Sequence, residues 1–203
     1  MRLLEFYERF RPPSYGTNWH HKLICRELER AYERRQNLII ECPPRHGKSE
    51  LANIYGPAWW LLTHPDERFG LVTNSDALAK KFSVACQNLI LSVEYQKIRR
   101  YKLVTARDNE WKIKSPNTEI DFTYKAASID GQLTGHGFST LMFDDLIKSG
   151  RDAKSDTKRE NIWENVCSAA INRLTPTGIV VAMGARLHID DPIGRLLTSE
   201  EAL

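Results

Sequence analysis

The chain has 203 residues, 41% of them hydrophobic, with 29 basic against 26 acidic side chains for a net charge of +3. Its mean hydropathy of −0.46 suits a water-exposed globular chain with a sizeable core and excludes a collagenous or low-complexity fibre. The charge is too mild to mark a nucleic-acid binder by itself, and it does not exclude one.

Four cysteines (Cys25, Cys42, Cys86, Cys167) are widely scattered and form no C-x-x-C pair, which points to reduced thiols and not to a disulfide or metal framework. The longest apolar run, near Ala58 to Leu62, is far too short to span a bilayer. Acids interrupt the apolar N-terminus, so it does not read as a signal peptide. No internal repeat stands out. One domain is the expectation, with residues 1–36 as an N-terminal helical segment, 37–197 as the core and 198–203 as a tail.

In chain order, residues 1–17 are mixed and end in loop chemistry at Arg11-Pro-Pro-Ser-Tyr-Gly16. Asn18 is placed to cap a helix running to about Arg35, with Ile24, Leu28 and Ala31 on one face. Trp19, His20 and His21 open that helix. They fit either contact with a nucleotide base or an aromatic staple against the sheet, the commoner role.

Leu38 to Ile40 reads as a short buried strand, Cys42 to His46 as a tight loop, and Gly47 as the opening of a helix to about Leu62. Gly47-Lys48-Ser49 is the ending of a phosphate-binding P-loop. Such a loop aims backbone N–H groups at a phosphate, and the helix adds its positive end. Lys48 would reach the β- and γ-phosphates, and Ser49 would place its hydroxyl on Mg²⁺. The first glycine of the usual pattern is replaced by Cys42, and Pro43 and Pro44 remove two donors. The anion cradle must therefore rest on Arg45, His46, Gly47, Lys48 and Ser49, with Arg45 supplying charge, and Pro44 and Glu50 flank it as further candidate nucleotide contacts.

Phe69 to Thr73 is a second buried strand, and Ser75 caps a helix carrying Leu78, Phe82, Ala85 and Leu89. A polar stretch, Glu94 to Glu110, follows. Trp111-Lys-Ile and Glu119 to Tyr124 flank Ser115-Pro-Asn-Thr118 and read as a β-hairpin. The Gly131 to Gly137 loop leads into a strand, Thr140 to Phe143, that ends in Asp144-Asp145. That is a Walker B arrangement: Asp144 for the Mg²⁺ shell, Asp145 to orient or deprotonate the attacking water. Five bases between Lys148 and Arg159 suit a solvated face, a DNA contact or an arginine finger. Thr157-Lys-Arg-Glu160 reads as a capping box, and Thr175-Pro-Thr-Gly178 as a turn into a third strand, Ile179 to Met183. Asp191 caps a last helix with Pro192 at its first position. Alternating apolar strands and helices make an α/β, doubly wound fold with a mostly parallel sheet, and place a nucleotide at the strands' carboxyl ends.

Pro43 to Glu50 resembles the altered P-loop of the large terminase subunit, the DNA-packaging motor of tailed bacteriophages. Leu133-Thr-Gly135, then Asp144-Asp-Leu-Ile-Lys148 with Ala153, Ser155, Arg159 and Trp163, then Arg173-Leu-Thr-Pro176 and Arg186 to Leu197 match in the same order. The resemblance covers nearly the whole chain. It implies a P-loop NTPase of the additional-strand, RecA-like type with helices on both faces and an added β-hairpin. It implies a Mg²⁺-dependent ATPase that drives double-stranded DNA into a procapsid, with Lys48, Arg45 and Asp145 catalytic and Ser49 and Asp144 on the metal. The segment at Ala185 and Arg186 resembles the family's coupling motif, although Ala185 lacks the usual hydroxyl. Implied partners are duplex DNA, further copies in a ring (a pentamer in the family), the portal protein and the small terminase subunit. The implied place of action is the procapsid portal in the host cytoplasm, with no membrane. The family's C-terminal nuclease is not expected within these residues. A helicase-type ATPase and a docking module with a degenerate P-loop are the competing readings.

Overall fold

The computed structural model describes residues 1–115, 120–131, 133, 137–167 and 171–198. Two N-terminal helices, α1 (Leu3–Phe10) and α2 (Trp19–Arg34), precede the first strand, β1 (Leu38–Glu41). The stretch read as mixed thus contains a helix, because Leu3, Phe6 and Tyr7 share one face and are buried. Asn18 does open α2, and its backbone N–H donates to Nδ1 of His21 at 3.0 Å.

After β1 the chain turns into one continuous helical run: α3 (Lys48–Glu50), a π-helical turn (Leu51–Tyr55) and α4 (Gly56–Trp60). Then come β2 (Phe69–Thr73), α5 (Asp76–Leu91), α6 (Val93–Ile98), β3 (Leu103–Ala106), β4 (Glu110–Ile113), β5 (Tyr124–Ser128) and β6 (Phe138–Asp144). The described chain ends with α7 (Gly150–Ala153), α8 (Asp156–Asn165), β7 (Leu174–Gly184) and α9 (Pro192–Thr198).

The sheet has seven strands in the order β1-β7-β6-β2-β5-β4-β3. The first five are mutually parallel, and β4 and β3 extend the sheet antiparallel. Alternate side chains go to opposite faces. Leu71, Met142, Val181 and Met183 join a core with α1, α2, α4 and α5. Val72, Leu141, Phe143, Val180 and Ala182 join a second core that takes in Val166 of the chain after α8 and Leu196 of α9. Covering both faces explains why the central strands are nearly continuous runs of apolar residues.

The sequence reading needs four further corrections. The polar stretch after Glu94 holds α6 and β3, whose edge position leaves alternate residues exposed and the apolar signal weak. The hairpin pairs Trp111 with Tyr124, but its second strand starts only at Tyr124 and also pairs with β2 in the parallel core. Its turn, 116–119, lies outside the described residues, as do Thr134, Gly135 and His136 before β6. Residues Thr175 to Gly178 form no free turn. They bulge within β7, between the pairs Phe138↔Leu174 and Thr140↔Ile179. The cap of α8 is Ser155, whose hydroxyl accepts from the Lys158 N–H, two residues ahead of the predicted box. At the C-terminus, Asp191 accepts from the Gly194 N–H at 2.9 Å with Pro192 first in α9, as expected.

Candidate active site

The register sets the carboxyl ends of four strands nearly level: Glu41 opposite Gly184, Met183 opposite Asp144, and Asp144 opposite Thr73. One strand, β7, lies between the strand feeding the P-loop and the strand ending in the paired acids. That inserted strand opens a gap between two loops that face each other.

On one side, the Cys42 N–H donates to the Gly184 carbonyl at 3.2 Å and anchors the loop's start. Arg45 (φ 65°) and Gly47 (φ 76°) are both left-handed, which curls the loop back before the helix begins at Lys48. A Cβ on Gly47 would come within 2.9 Å of Nε2 of His21, so conformation and space both demand glycine there. Pro43, Pro44, Arg45 and His46 are exposed, and the His46 ring meets the Pro44 carbonyl at 2.9 Å.

On the other side, Asp145 also has positive φ (44°). Its N–H donates to the Met183 carbonyl at 3.0 Å and its carbonyl accepts from Nδ2 of Asn74 at 2.7 Å. The turn is therefore tied to both neighbouring strands, and its carboxylate points back at the P-loop.

The two loops meet through side chains nearly a hundred positions apart. Lys48, only 3% exposed, donates from Nζ to Asp145 Oδ2 at 2.8 Å. The Ser49 hydroxyl donates to Asp144 Oδ1 at 3.0 Å, and Asn53 Nδ2 donates to Asp144 Oδ2 at 2.8 Å. Asp144 is 1% exposed. Burial, and secondarily the charge of Asp145, push its carboxyl up to about 6 against the help of these donors. Sequence reasoning missed Asn53. The signal was one amide on an otherwise apolar helix, four residues after Ser49 and so on the same face.

The expected site residues divide. Arg45, His46, Gly47, Lys48, Ser49 and Glu50 line one cleft of about 790 Å³ together with His21, Tyr7 and Tyr15. His21 is buried, is kept below the usual histidine range by that burial, and walls the cleft behind Gly47 while capping α2. Trp19 is 75% exposed and faces the neighbouring groove beside β1, not this cleft. Ala185, Pro44 and Asp145 line a separate cavity of about 330 Å³ between β7 and α9. Arg186 turns away to Glu41 (2.9 Å), the Ile189 carbonyl (3.1 Å) and Asp191 (3.3 Å). Arg159, a candidate finger from sequence, is buried and bonded to Asp190, Asp156 and the Ala153 carbonyl.

A strand-fed loop with an inward lysine and hydroxyl, facing two acids across one inserted strand, defines a P-loop α/β fold. The fold is shared with the HK97 bacteriophage large terminase. The two superpose with a TM-score of 0.59 at 16% identity, over 96% of this chain and 40% of that one. The chain thus spans about two-fifths of that terminase's length. A looser likeness, TM-score 0.40 at 17% identity, is to the N-terminal domain of the DNA packaging ATPase from bacteriophage phi29, over 87% of this chain and 79% of that one. No protein-family model matches the chain, and no curated protein matches it.

Proposed function

We propose that this chain is the Mg²⁺-dependent ATPase part of a terminase large subunit, driving double-stranded DNA into a procapsid. The observation that carries the proposal is the meeting of Ser49 with Asp144 and of Lys48 with Asp145 at the carboxyl ends of β1 and β6. The donor set suits magnesium: a hydroxyl and a carboxylate are hard oxygen ligands, and this ion takes one or two protein oxygens besides phosphate and water. When bound, the ion would supply positive charge against the phosphates as negative charge develops on them.

The residues of the chain do the rest. Ser49 and Asp144 would hold the ion. Lys48 leaves Asp145 and turns its ammonium to the phosphates, and this exchange frees the Asp145 carboxylate. Asp145 then orients a water for in-line attack on the γ-phosphorus and accepts its proton, while the bond to the β–γ bridging oxygen breaks and ADP leaves with the electron pair. Arg45, exposed at the mouth of the cradle, adds positive charge as the transferred group becomes more negative. The cleft flanked by Tyr7, Tyr15 and His21 receives the nucleoside end of ATP.

The shared fold supports the remaining assignments, which stay part of the proposal. The partners are duplex DNA, a ring of copies, the portal and the small subunit, and the place of action is the procapsid in the host cytoplasm. Among the described residues no helix is long and apolar enough to cross a membrane. The test is phosphate release with and without linear duplex DNA. Wild type turns over ATP and is stimulated by DNA, whereas Lys48→Ala drops by about a hundredfold or more, the scale of losing a main charge partner of the transition state. Equal turnover by Lys48→Ala would remove the P-loop from the chemistry.

A further inference from the structure

We infer that Asn53 is a positioning residue for the carboxylate of Asp144, an inference that rests on the reading of Asp144 as a magnesium ligand. Asn53 is 0% exposed, on a helical turn whose other buried members are Leu51, Ala52 and Tyr55. An apolar side chain there would pack into the same core but would leave Asp144 Oδ2 without this donor. Instead the amide gives one N–H to Asp144 Oδ2 at 2.8 Å, and its own Oδ1 has no hydrogen-bond partner among the described residues. The carboxylate dictates this orientation, since turning Oδ1 toward Asp144 would set two acceptors against each other. A buried acceptor without a partner is costly, so the amide is explained by the carboxylate it serves and not by the apolar core around it. Such a cost persists where a residue serves a site.

The backbone makes the same point. Asn53 sits in a π-helical turn, where the Gly56 N–H reaches back to the Leu51 carbonyl. The Asn53 carbonyl is taken by the Tyr124 hydroxyl at 2.9 Å. Tyr124 is fully buried and stacked on Trp111 of β4, with ring centroids 5.3 Å apart. Single π turns are rare and concentrate at functional sites. Here the widened turn and the Tyr124 hydroxyl fix the amide beneath Asp144. With Oδ2 held by Asn53, the carboxylate neither rotates nor swings to Lys48, and Oδ1 stays beside the Ser49 hydroxyl, where the ion is to be shared.

The experiment separates metal from nucleotide. Mn²⁺ binding to the ADP-loaded protein is followed by electron paramagnetic resonance, and ADP binding in EDTA by calorimetry, for wild type and Asn53→Leu. The expected result is Mn²⁺ affinity weakened by about tenfold or more, the scale for removing an outer-shell partner. Metal-free ADP affinity is expected to stay within about twofold, since the amide touches no nucleotide group. Mn²⁺ affinity unchanged in a folded variant, or both affinities falling together, overturns the inference. Should Asn53→Leu not fold, the wild type decides. The Asn53 side-chain amide resonances shift when Mg²⁺ is added to the ADP-loaded protein and not when ADP is added in EDTA; no shift at the Mg²⁺ step overturns it. A wild type that binds ADP with no dependence on either metal defeats the magnesium reading of Asp144 itself, and this inference with it.

Discussion

Two buried acids sit at opposite ends of the same strand pair, and their surroundings differ in kind. Glu67, just before β2, lies at the amino ends of β2 and β6, and Asp144 lies at the carboxyl ends. Glu67 is 8% exposed and fully answered: Arg35 pairs with it at 3.1 Å, the Trp60 indole donates at 3.0 Å and the Thr140 hydroxyl at 2.7 Å. Asp144 is more deeply buried, yet both its donors, Ser49 and Asn53, are neutral, and a second acid adjoins it. The nearby cation, Lys48, is bonded to Asp145 instead. The contrast separates a charge that ties helices to a sheet from one left without a cationic partner among the described residues, as the proposed magnesium role of Asp144 requires. Left-handed backbone occurs at both ends: Arg35 (φ 52°) closes α2 beside Glu67, while Arg45, Gly47 and Asp145 cluster at the carboxyl-end rim.

The comparison breaks first at Asp145. Asp145→Asn should bind Mg-ATP as tightly as wild type or more so, because Lys48 is released from its ion pair. Its turnover should fall by about a hundredfold or more, the scale of general base catalysis. Single-turnover hydrolysis set beside equilibrium binding reads both, and wild-type turnover would show that this carboxylate does not handle the water.

Glu67→Gln tests the opposite end. It strips the Arg35 guanidinium of its counter-charge, and stability measured by urea unfolding should drop by about 2–4 kcal/mol, with Arg35 partly screened by water. ATP turnover per folded molecule should hold.

Asp144→Asn should do the reverse in the metal-free protein. A carboxyl raised to about 6 from 3.8 binds its proton more tightly folded than unfolded, so its contribution to stability falls as pH rises from about 4 to about 6 and stays low above that. The neutral variant, which the unpartnered Asn53 Oδ1 can accommodate by an amide flip, escapes this loss. Its melting temperature should exceed that of wild type at pH 8, with the gap closing toward pH 4, while Mg²⁺ binding is lost. A pH-independent gap would mean that the carboxylate does not carry this titration.

The smallest effect belongs to Asp190→Asn. Asp190 links Arg195, at 2.8 and 2.9 Å, to Arg159 and so ties α9 to α8. These arginines hold its carboxyl down at about 2. The group is close to half exposed, so salt screens the pairs and the loss should stay under about 1 kcal/mol. It should shrink further at high salt in the same urea assay.

Much of this site was legible because its chemistry is local. Gly47-Lys48-Ser49 and Asp144-Asp145 each need only a strand, a turn and the right side chains in succession; the first opens α3 beyond β1, and the second lies at the end of β6. Asn53 and Glu67 were illegible for different reasons. Asn53 is a single polar residue in an apolar stretch, which shows that something must answer it but not what, and its partner lies 91 positions away. Glu67 sits in the polar turn His64-Pro-Asp-Glu-Arg68, where an acid reads as solvated, and Arg35 and Thr140 reach it from 32 and 73 positions away. The edge strand β3 was missed because half its residues face water, which erases the apolar period that marks a strand.

The amino-acid sequence alone determined the alternating α/β order, the proline-bearing loop before Gly47 and the paired acids, since these follow from side-chain periodicity, fixed backbone preferences and adjacent residues. Only the tertiary structure decided that β7 enters between β1 and β6, that Lys48 rests on Asp145, and that Asn53 underlies Asp144. Strand order and cross-chain contacts depend on which surfaces exclude water together, and neighbouring residues carry no record of that.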